Sequence, residues 1–467
     1  MVSSVIGAIR DEYQTFRHEI RPMTRLAVPI VLGNLGWMTM GIVDTMMVGR
    51  VSAEAIGAVS LASILFITLG AFGGGVMLGL DTLVPQAFGA GDVKDCHHSL
   101  LSSLYLSLPL SALLMGFLWW SAPLLGRFRI NPAVFRQTVP CLHVLTWCTP
   151  PLLAYFSFRS YLQGMDLARP VTFALLSANV LNAVGDYALV YGHWGAPAMG
   201  AVGSAWSTTL SRLYMAAVLA AFILWHDHRE KTELLKAALM PDLARLRRLL
   251  SLGLPAATQI MVEIAVFALA TALIGRLDPV ALAAHQIAMN TVSLTYMVPL
   301  GIASAAAVRV GQALGRRDPE AAGHSGWAAM LLGGGFMSAA ALALLLAPGV
   351  IARLYTPNPA VIRAGASLLF VGAFFQLFDG LQTVATGALR GAGDTRSPLI
   401  CHAVMYWLIG LPLGYFLCFR EGWGVKGLWI GLSLSLILIG CALLWVWRRR
   451  VQSFRRAAAK NAEVDVI

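Results

Sequence analysis

Charge is the scarcest commodity in this chain. Only 12% of its 467 residues are Asp, Glu, Lys or Arg, about half the share of an average soluble domain. That shortage excludes a water-soluble globular protein, and a mean hydropathy of +0.71 agrees. Paired cysteines are missing as well: Cys96, Cys141, Cys148, Cys401, Cys418 and Cys441 show no CxxC spacing, which argues against a disulfide frame or a metal site. The glycine runs at 73–75 and 333–335 are not followed by GK[ST], so no phosphate loop is present. The opening stretch 1–25 mixes Arg10, Asp11, Glu12, Arg17, Glu19, Arg21 and Arg25 without an apolar core, and no cleavable signal peptide is expected.

What the chain does have is apolar blocks of about 20 residues, the length a helix needs to cross a bilayer. Twelve spans are expected near 26–48, 56–84, 99–122, 138–158, 171–191, 200–225, 251–275, 281–308, 327–350, 364–388, 398–419 and 427–447. The fold class is an all-α polytopic membrane protein. With the N-terminus inside, inside segments hold 24 Lys and Arg and outside loops hold 9, so both termini are expected in the cytoplasm. The net charge of +11 follows from the same bias, and no nucleic-acid partner is implied. The tail "RRRVQSFRRAAAK" reads as a lipid-headgroup anchor. His97, His98, His226 and His228 read as solvated loop residues rather than zinc ligands.

The sequence repeats itself at a constant offset, the one that carries Pro29 onto Pro255. The same offset aligns Gly49-Arg50 with Gly275-Arg276, Gly75 with Gly301, Gln86 with Gln312, Gly89 with Gly315 and Asp92 with Asp318. Later, "LQGMDLARP" echoes "LRGAGDTRSP" and "GAVG" echoes "GVKG". Six spans per half is an even number, so the halves enter the membrane in the same orientation. The expected arrangement is two pseudo-symmetric six-helix bundles related by an axis along the membrane normal, with a site near the midplane. The corresponding domains are a cytoplasmic N-terminal segment 1–25, an N-terminal lobe 26–225, a linker 226–250, a C-terminal lobe 251–447 and a basic tail 448–467. Such repeats point to transport by alternating access, not to catalysis.

The machinery of transport is sought among the polar residues that the spans tolerate. Four acids fall inside them: Asp44, Asp186, Glu263 and Asp379. Asp44 and Asp186 lie near outer helix ends, where a structural role competes. Glu263 and Asp379 lie about 12 Å from either end of their spans at 1.5 Å per residue, too far to reach the interface, so each must face protein or a wet cavity. From 256 to 274, Glu263 is the sole charge. Polar stripes at helical spacing accompany the acids. They are Gln259 with Glu263; Asn182 with Asp186; Gln376, Asp379, Gln382 or Thr383, and Thr386; and Gln286, Asn290 and Ser293. Interhelical hydrogen bonds of about 0.6 kcal/mol each would explain one stripe, but not four. A carboxylate in such a cavity can take up a proton, or a sodium ion with nearby amides and hydroxyls, and release an organic cation in exchange. Four acids against one mid-span base, Arg212, favour small, cationic, amphipathic substrates. Trp37 and Tyr406 are candidate apolar lining, and Arg212 is expected to pair with Asp186 or Asp44.

At these residues a family resemblance becomes specific. "RLAVPIVLGNLGWMTMGIVDTMMVGRVSAEAIGAVS", "QAFGAGD", "LQGMDLARP", "ALAAHQIAMN" and "ALRGAGDTRSP" resemble the multidrug and toxic compound extrusion (MATE) family over nearly the whole chain. The resemblance implies two six-helix bundles around a central cleft and export of drugs or toxic metabolites against H⁺ or Na⁺, with no cofactor. In NorM-type members the cation site uses a seventh-helix glutamate and a tenth-helix aspartate, matched by Glu263 and Asp379. In DinF-type members it uses a first-helix aspartate and a fifth-helix Asn-x-x-x-Asp, matched by Asp44, Asn182 and Asp186. The chain therefore resembles a NorM-like member with DinF-like features in its N-terminal lobe. Phe375 stands where the NorM site has a tyrosine, which weighs toward H⁺ over a Na⁺ bound at Glu263 and Asp379. A monomer in the bacterial inner membrane is expected. A lipid-linked precursor flippase would need a cationic cleft, and an intramembrane transferase would need clustered carboxylates such as DxxD; neither fits. A channel is disfavoured by the two-lobe repeat.

Overall fold

The computed structural model describes residues 2–128, 131–232, 234 and 242–464, and these are almost entirely helical. In order they form α1 (Val2–Val48), α2 (Ala53–Met77), α3 (Leu80–Gly89), α4 (Val93–Leu124), α5 (Pro132–Thr146), α6 (Thr149–Gly164), α7 (Ala168–Tyr191) and α8 (Ala201–Glu230). There follow α9 (Leu243–Ile274), α10 (Pro279–Gly315), α11 (Pro319–Leu346), α12 (Pro348–Tyr355), α13 (Pro359–Gly391), α14 (Arg396–Val404), α15 (Leu411–Tyr415) and α16 (Val425–Val464). A π-helical turn, Met405–Gly410, joins α14 to α15, and a second, Phe416–Arg420, continues the run beyond α15.

Among the described residues, 11 helices are long and apolar enough to cross a membrane, and a twelfth span is the pair Pro132–Thr146 and Thr149–Gly164, bent by 46°. All twelve expected spans are therefore found, and the protein is a multi-pass membrane protein. Most helices run past the apolar stretch at one or both ends. Within the expected 226–250 linker, α8 runs on to Glu230 and α9 starts at Leu243. Its residues 233 and 235–241 lie outside the described residues.

The repeated motifs are helix punctuation. In "QAFGAGD", Gly91 adopts φ +76° and the Asp92 N–H donates to the Ala87 carbonyl at 3.0 Å. Asp92 then caps α4 by accepting from the Asp95 N–H. The second copy does the same with Arg317 at φ +59°, an Asp318 N–H to the Ala313 carbonyl at 2.9 Å, and Asp318 capping α11. Asp166 and Gly393, in the other echoing pair, also take positive φ. Each is the left-handed residue that ends a helix by folding the chain back on its last turn.

By packing, the chain divides into two units: Leu32–Ala257, and the described residues up to Val31 together with those from Thr258 onward. The cuts fall within α1 and α9, and the repeat offset that carries Pro29 onto Pro255 also carries Leu32 onto Thr258. Pro29 and Pro255 lie just before these cuts, where a missing N–H weakens the helix. At each cut a glycine admits close backbone contact. A Cβ added to Gly301 would lie 2.4 Å from Val31 Cγ2, inside the unit that holds α10–α16. One added to Gly75 would lie 2.6 Å from Ala257 Cα, inside the other. The first part of α1 is also held by an ion pair, Glu19 Oε2 to Arg309 Nη2 at 2.9 Å, which Ser325 reinforces at 2.9 Å. The first part of α9 is held by the Arg245–Asp95 pair. Glu19 and Arg245 occupy equivalent places in the two copies of the repeat.

Candidate functional site

In the unit from Thr258 onward, α9, α10, α13 and α16 enclose a cavity of about 430 Å³. Glu263 and Asp379 both line it, so the two deepest acids in the sequence share one space. The wall is otherwise largely apolar: Phe267, Phe375 and Trp429 contribute rings, Met289 and Met297 adaptable thioethers, and Thr271, Ser293 and Tyr296 hydroxyls. No Lys or Arg lines it.

Two buried networks support this cavity. On one side, Gln382 Nε2 donates to Asp379 Oδ1 at 3.2 Å and to Thr383 Oγ1 at 3.0 Å, while Thr383 donates to the Asp379 carbonyl at 2.8 Å. The far end of the Gln382 amide meets His402 Nε2 at 2.9 Å, and His402 Nδ1 lies 2.7 Å from the Pro398 carbonyl. Gln259 reaches the same Nε2 at 3.4 Å. On the other side, Trp429 Nε1 donates to His285 Nδ1 at 3.1 Å. Nδ1 is thus the acceptor, and His285 Nε2–H donates to Thr271 Oγ1 at 2.9 Å, whose own proton goes to the Phe267 carbonyl at 2.8 Å. Every polar atom of the His285 ring is used, so it fixes Trp429 and Thr271 in the wall.

The remaining candidates of this unit are scattered around that centre. Gln376 is fully buried but turns to Thr295 and to Met337 Sδ at 3.7 Å. Tyr406 is buried with its hydroxyl unpartnered, its ring 6.0 Å from Phe267 and 5.9 Å from His402. Gln286 and Asn290 are exposed and do not line the cavity, although Ser293 of the same stripe does.

The other unit assembles its own acid cluster. Asp44 on α1 lies near Asp186 and Asn182 on α7 and accepts from Thr208 Oγ1 at 3.2 Å. Asn182 Nδ2 donates to Ser207 Oγ at 3.2 Å, and Ser207 donates back to the Asn182 carbonyl at 2.7 Å. Asp44 Oδ1 and both carboxyl oxygens of Asp186 have no donor partner. Two ionised carboxylates are acceptors only, so the Asp44–Asp186 contact becomes a hydrogen bond only when one of them holds a proton.

Arg212 and the histidines depart from expectation, and His98, His226 and His228 lie on helices α4 and α8 rather than in loops. Arg212 makes no ion pair with Asp44 or Asp186; its guanidinium lies 3.5 Å from the centroid of the Trp37 ring and meets Met215 Sδ at 3.6 Å. A planar, weakly hydrated guanidinium stacks on an aromatic face readily, and Trp37 in turn stacks on Tyr155 and Phe156, so its ring is occupied as a platform. His97 is not a solvated loop residue either. It lies on α4, is 1% exposed, and joins Tyr161 Oη at 2.8 Å to the Thr232 carbonyl at 3.1 Å. Among the described residues no group of three metal-binding side chains occurs.

Sequence reasoning missed Tyr296, Trp429, His285 and His402. For the histidines the signal was available: both sit inside apolar spans, where an ionisable group is costly and demands a partner.

Comparison with known proteins gives one family. The MatE family model matches residues 29–188 and 255–416, two stretches that begin at the repeat-equivalent prolines Pro29 and Pro255. A probable multidrug resistance protein NorM of Mesorhizobium japonicum is 34% identical over 456 residues, covering 96% of this chain and 98% of that protein. The multidrug resistance protein PmpM of Pseudomonas aeruginosa is also 34% identical, covering 96% of each chain. Among solved structures, a MATE protein in the bent conformation superposes with a TM-score of 0.86 at 20% identity, over 96% of this chain and 99% of that one. The eukaryotic MATE transporter AtDTX14 gives 0.84 at 19%, over 95% and 99%.

Proposed function

The chain belongs to the MatE family, and on that premise we propose that it is a multidrug exporter of the bacterial inner membrane. It moves small, cationic, amphipathic molecules out of the cell in exchange for protons coming in. The observation that carries this reading is the single cavity in which Glu263 and Asp379 sit among Phe267, Phe375 and Trp429. Carboxylates meet the positive charge of an organic cation, and ring faces accept its flat apolar body. A carboxyl group that has taken up a proton no longer holds a cation. Proton and substrate therefore compete, and if each favours a different conformation, their exchange is antiport.

In this reading the two six-span lobes, 26–225 and 251–447, alternate access, and both termini are cytoplasmic as the Lys and Arg distribution requires. Both repeats lie in one chain, so a monomer supplies the whole pseudo-symmetric machine. No cofactor takes part. Sodium at Glu263 and Asp379 is the competing choice of coupling ion. Phe375 offers no hydroxyl at its place in the wall, which favours the proton; sodium would need to recruit the hydroxyl of Thr271, Ser293 or Tyr296 instead. A lipid-linked precursor flippase is disfavoured, because a cavity with two acids and no Lys or Arg repels a pyrophosphate.

The test is ethidium movement in proteoliposomes with proton and sodium gradients imposed separately. A proton gradient alone is expected to drive export. Export driven by sodium alone would replace the coupling ion, and no export under either gradient would overturn the reading. The Asp44–Asp186 contact supports a second protonation site in the other unit. If Asp44→Asn abolishes transport while Glu263→Gln and Asp379→Asn do not, that cluster carries the coupling instead.

A further inference from the structure

His402 is 0% exposed and does not line the cavity, yet it is one amide away from a cavity carboxylate. The donor and acceptor identities along this path are constrained. The Pro398 carbonyl can only accept, so His402 Nδ1 carries a proton in every state. What varies is Nε2, which faces the Gln382 amide. That amide has a donating end and an accepting end, similar in shape and exchanged by rotation about one bond.

Which arrangement satisfies both ends depends on where the protons are. In the first, the Gln382 NH₂ donates to an ionised Asp379, and its oxygen accepts from a protonated His402 Nε2. In the second, the amide is turned over: a protonated Asp379 donates to the Gln382 oxygen, and the NH₂ donates to a bare His402 Nε2. With both groups protonated the first arrangement also holds, because a carboxyl group that carries its proton on one oxygen still accepts on the other. With both bare, one end of a buried amide is mismatched, and such a loss is expensive.

We infer that Asp379 ionises only while His402 Nε2 holds a proton, with the Gln382 amide enforcing the link. In the step, the Asp379 O–H proton passes to the Gln382 oxygen as a Gln382 N–H proton passes to His402 Nε2, and the imidic acid so formed returns to the amide with its oxygen turned to His402. The trio keeps the same net charge through this step. Asp379 can thus present a negative charge to the cavity without its proton leaving the unit, since the balancing positive charge waits behind the wall. This rests on the proposed role of Asp379 in coupling.

Few other ionisable groups bear on His402. Glu263 is the sole one on α9 between Ala256 and Ile274, and none occurs on α16 between Leu428 and Gly440. Tyr406 stands beside the ring, Tyr296 lines the cavity with Asp379, and Arg390 lies further along α13. Gln259 offers Nε2 a second amide from α9, able to follow its change of state.

The experiment uses the full chain in proteoliposomes with ethidium as the transported probe. His402→Gln is expected to keep ethidium binding and to move the pH of half-maximal proton-driven export by about one unit or more. Gln382→Leu is expected to move it as well, and the double variant no further than the singles, because one path is cut either way. In nitrogen NMR of histidine-labelled protein, His402 Nε2 should change between protonated and bare forms across the pH profile in the wild type and stay bare in Asp379→Asn. If both the profile and the Nε2 signal ignore these substitutions while Asp379→Asn still abolishes export, the link between Asp379 and His402 is wrong and the proposed function stands. If Asp379→Asn exports as wild type does, the reading of Asp379 fails first. Should His402→Gln fail to fold, Gln382→Leu and the wild-type NMR decide alone.

Discussion

Asp379 and His402 are joined through a single side chain: the Gln382 amide lies 3.2 Å from one and 2.9 Å from the other. The carboxyl group belongs to the cavity wall and the imidazole to the layer behind it, so the chemistry of the cavity extends one layer deeper than its lining.

Removing charge from the cavity should stop exchange without unfolding the protein. Glu263→Gln and Asp379→Asn are each expected to lower proton-driven ethidium export at least tenfold, a loss of about 1.4 kcal/mol or more in the coupled step. Size-exclusion profiles in detergent should stay unchanged. Export rates at wild-type level in both variants would remove the C-terminal acids from the mechanism.

The glycine at the α1–α10 crossing makes a stability prediction. Gly301→Ala places a methyl group 2.4 Å from Val31 Cγ2 and 2.9 Å from the Val31 nitrogen. Overpacking of this kind costs about 1–3 kcal/mol. A lowered thermal midpoint in detergent is expected, and Val31→Ala should restore only part of it, because the backbone atoms remain in the way. Gly335, whose added Cβ would meet nothing within 4 Å, is the control position.

Ion pairs should separate by burial. Glu19 and Arg309 are each 17% exposed, and Ser325 shares the carboxylate, so Glu19→Gln should cost about 1.5–3 kcal/mol. Arg229 and Glu230 pair at 3.9 Å on an open surface at 66% and 53% exposure. Breaking them should change nothing measurable. Thermal midpoints of the two variants, compared at low and high salt, check the contrast.

A pH effect is expected where α9 begins, outside the apolar spans. Asp242 accepts from the Arg245 and Ala244 N–H groups and pairs with the Arg245 guanidinium, which holds its carboxyl below the usual 3.8. A depressed folded value means that the support is fully present above the unfolded value and is lost as the pH falls through the folded one. Hydrogen exchange at Ala244 and Arg245 should therefore rise, beyond its intrinsic pH trend, only at pH below about 3.8. Asp242→Ala should show the faster exchange at neutral pH.

Much of this architecture could be read from residue types alone, for a physical reason. The hydrocarbon imposes length and apolarity on each span, so the twelve segments announced themselves, including the bent α5–α6 pair. The acids were legible too, because a lone carboxylate such as Glu263 stands out against an apolar run. Other features depend on direction, which periodicity does not encode. Gln286 and Asn290 keep helical register with Ser293, yet only Ser293 reaches the cavity. Arg212 has acids within its own unit and still lies on Trp37. His402 went unnoticed because its role depends on Gln382, a residue of another helix.

The packing boundaries inside α1 and α9 have a consequence for the chain as a covalent object. A cut between α8 and α9 would not yield two self-sufficient modules. The fragment carrying α10–α16 would lack the α1 segment that Gly301 and Arg309 receive, and the other would lack the α9 segment that Gly75 and Asp95 receive. Each fragment would present a ready socket for the other's leading helix, as in a domain-swapped pair. Co-expressed halves thus have a built-in reason to reassemble, and a half made alone would have an unfilled helix crossing.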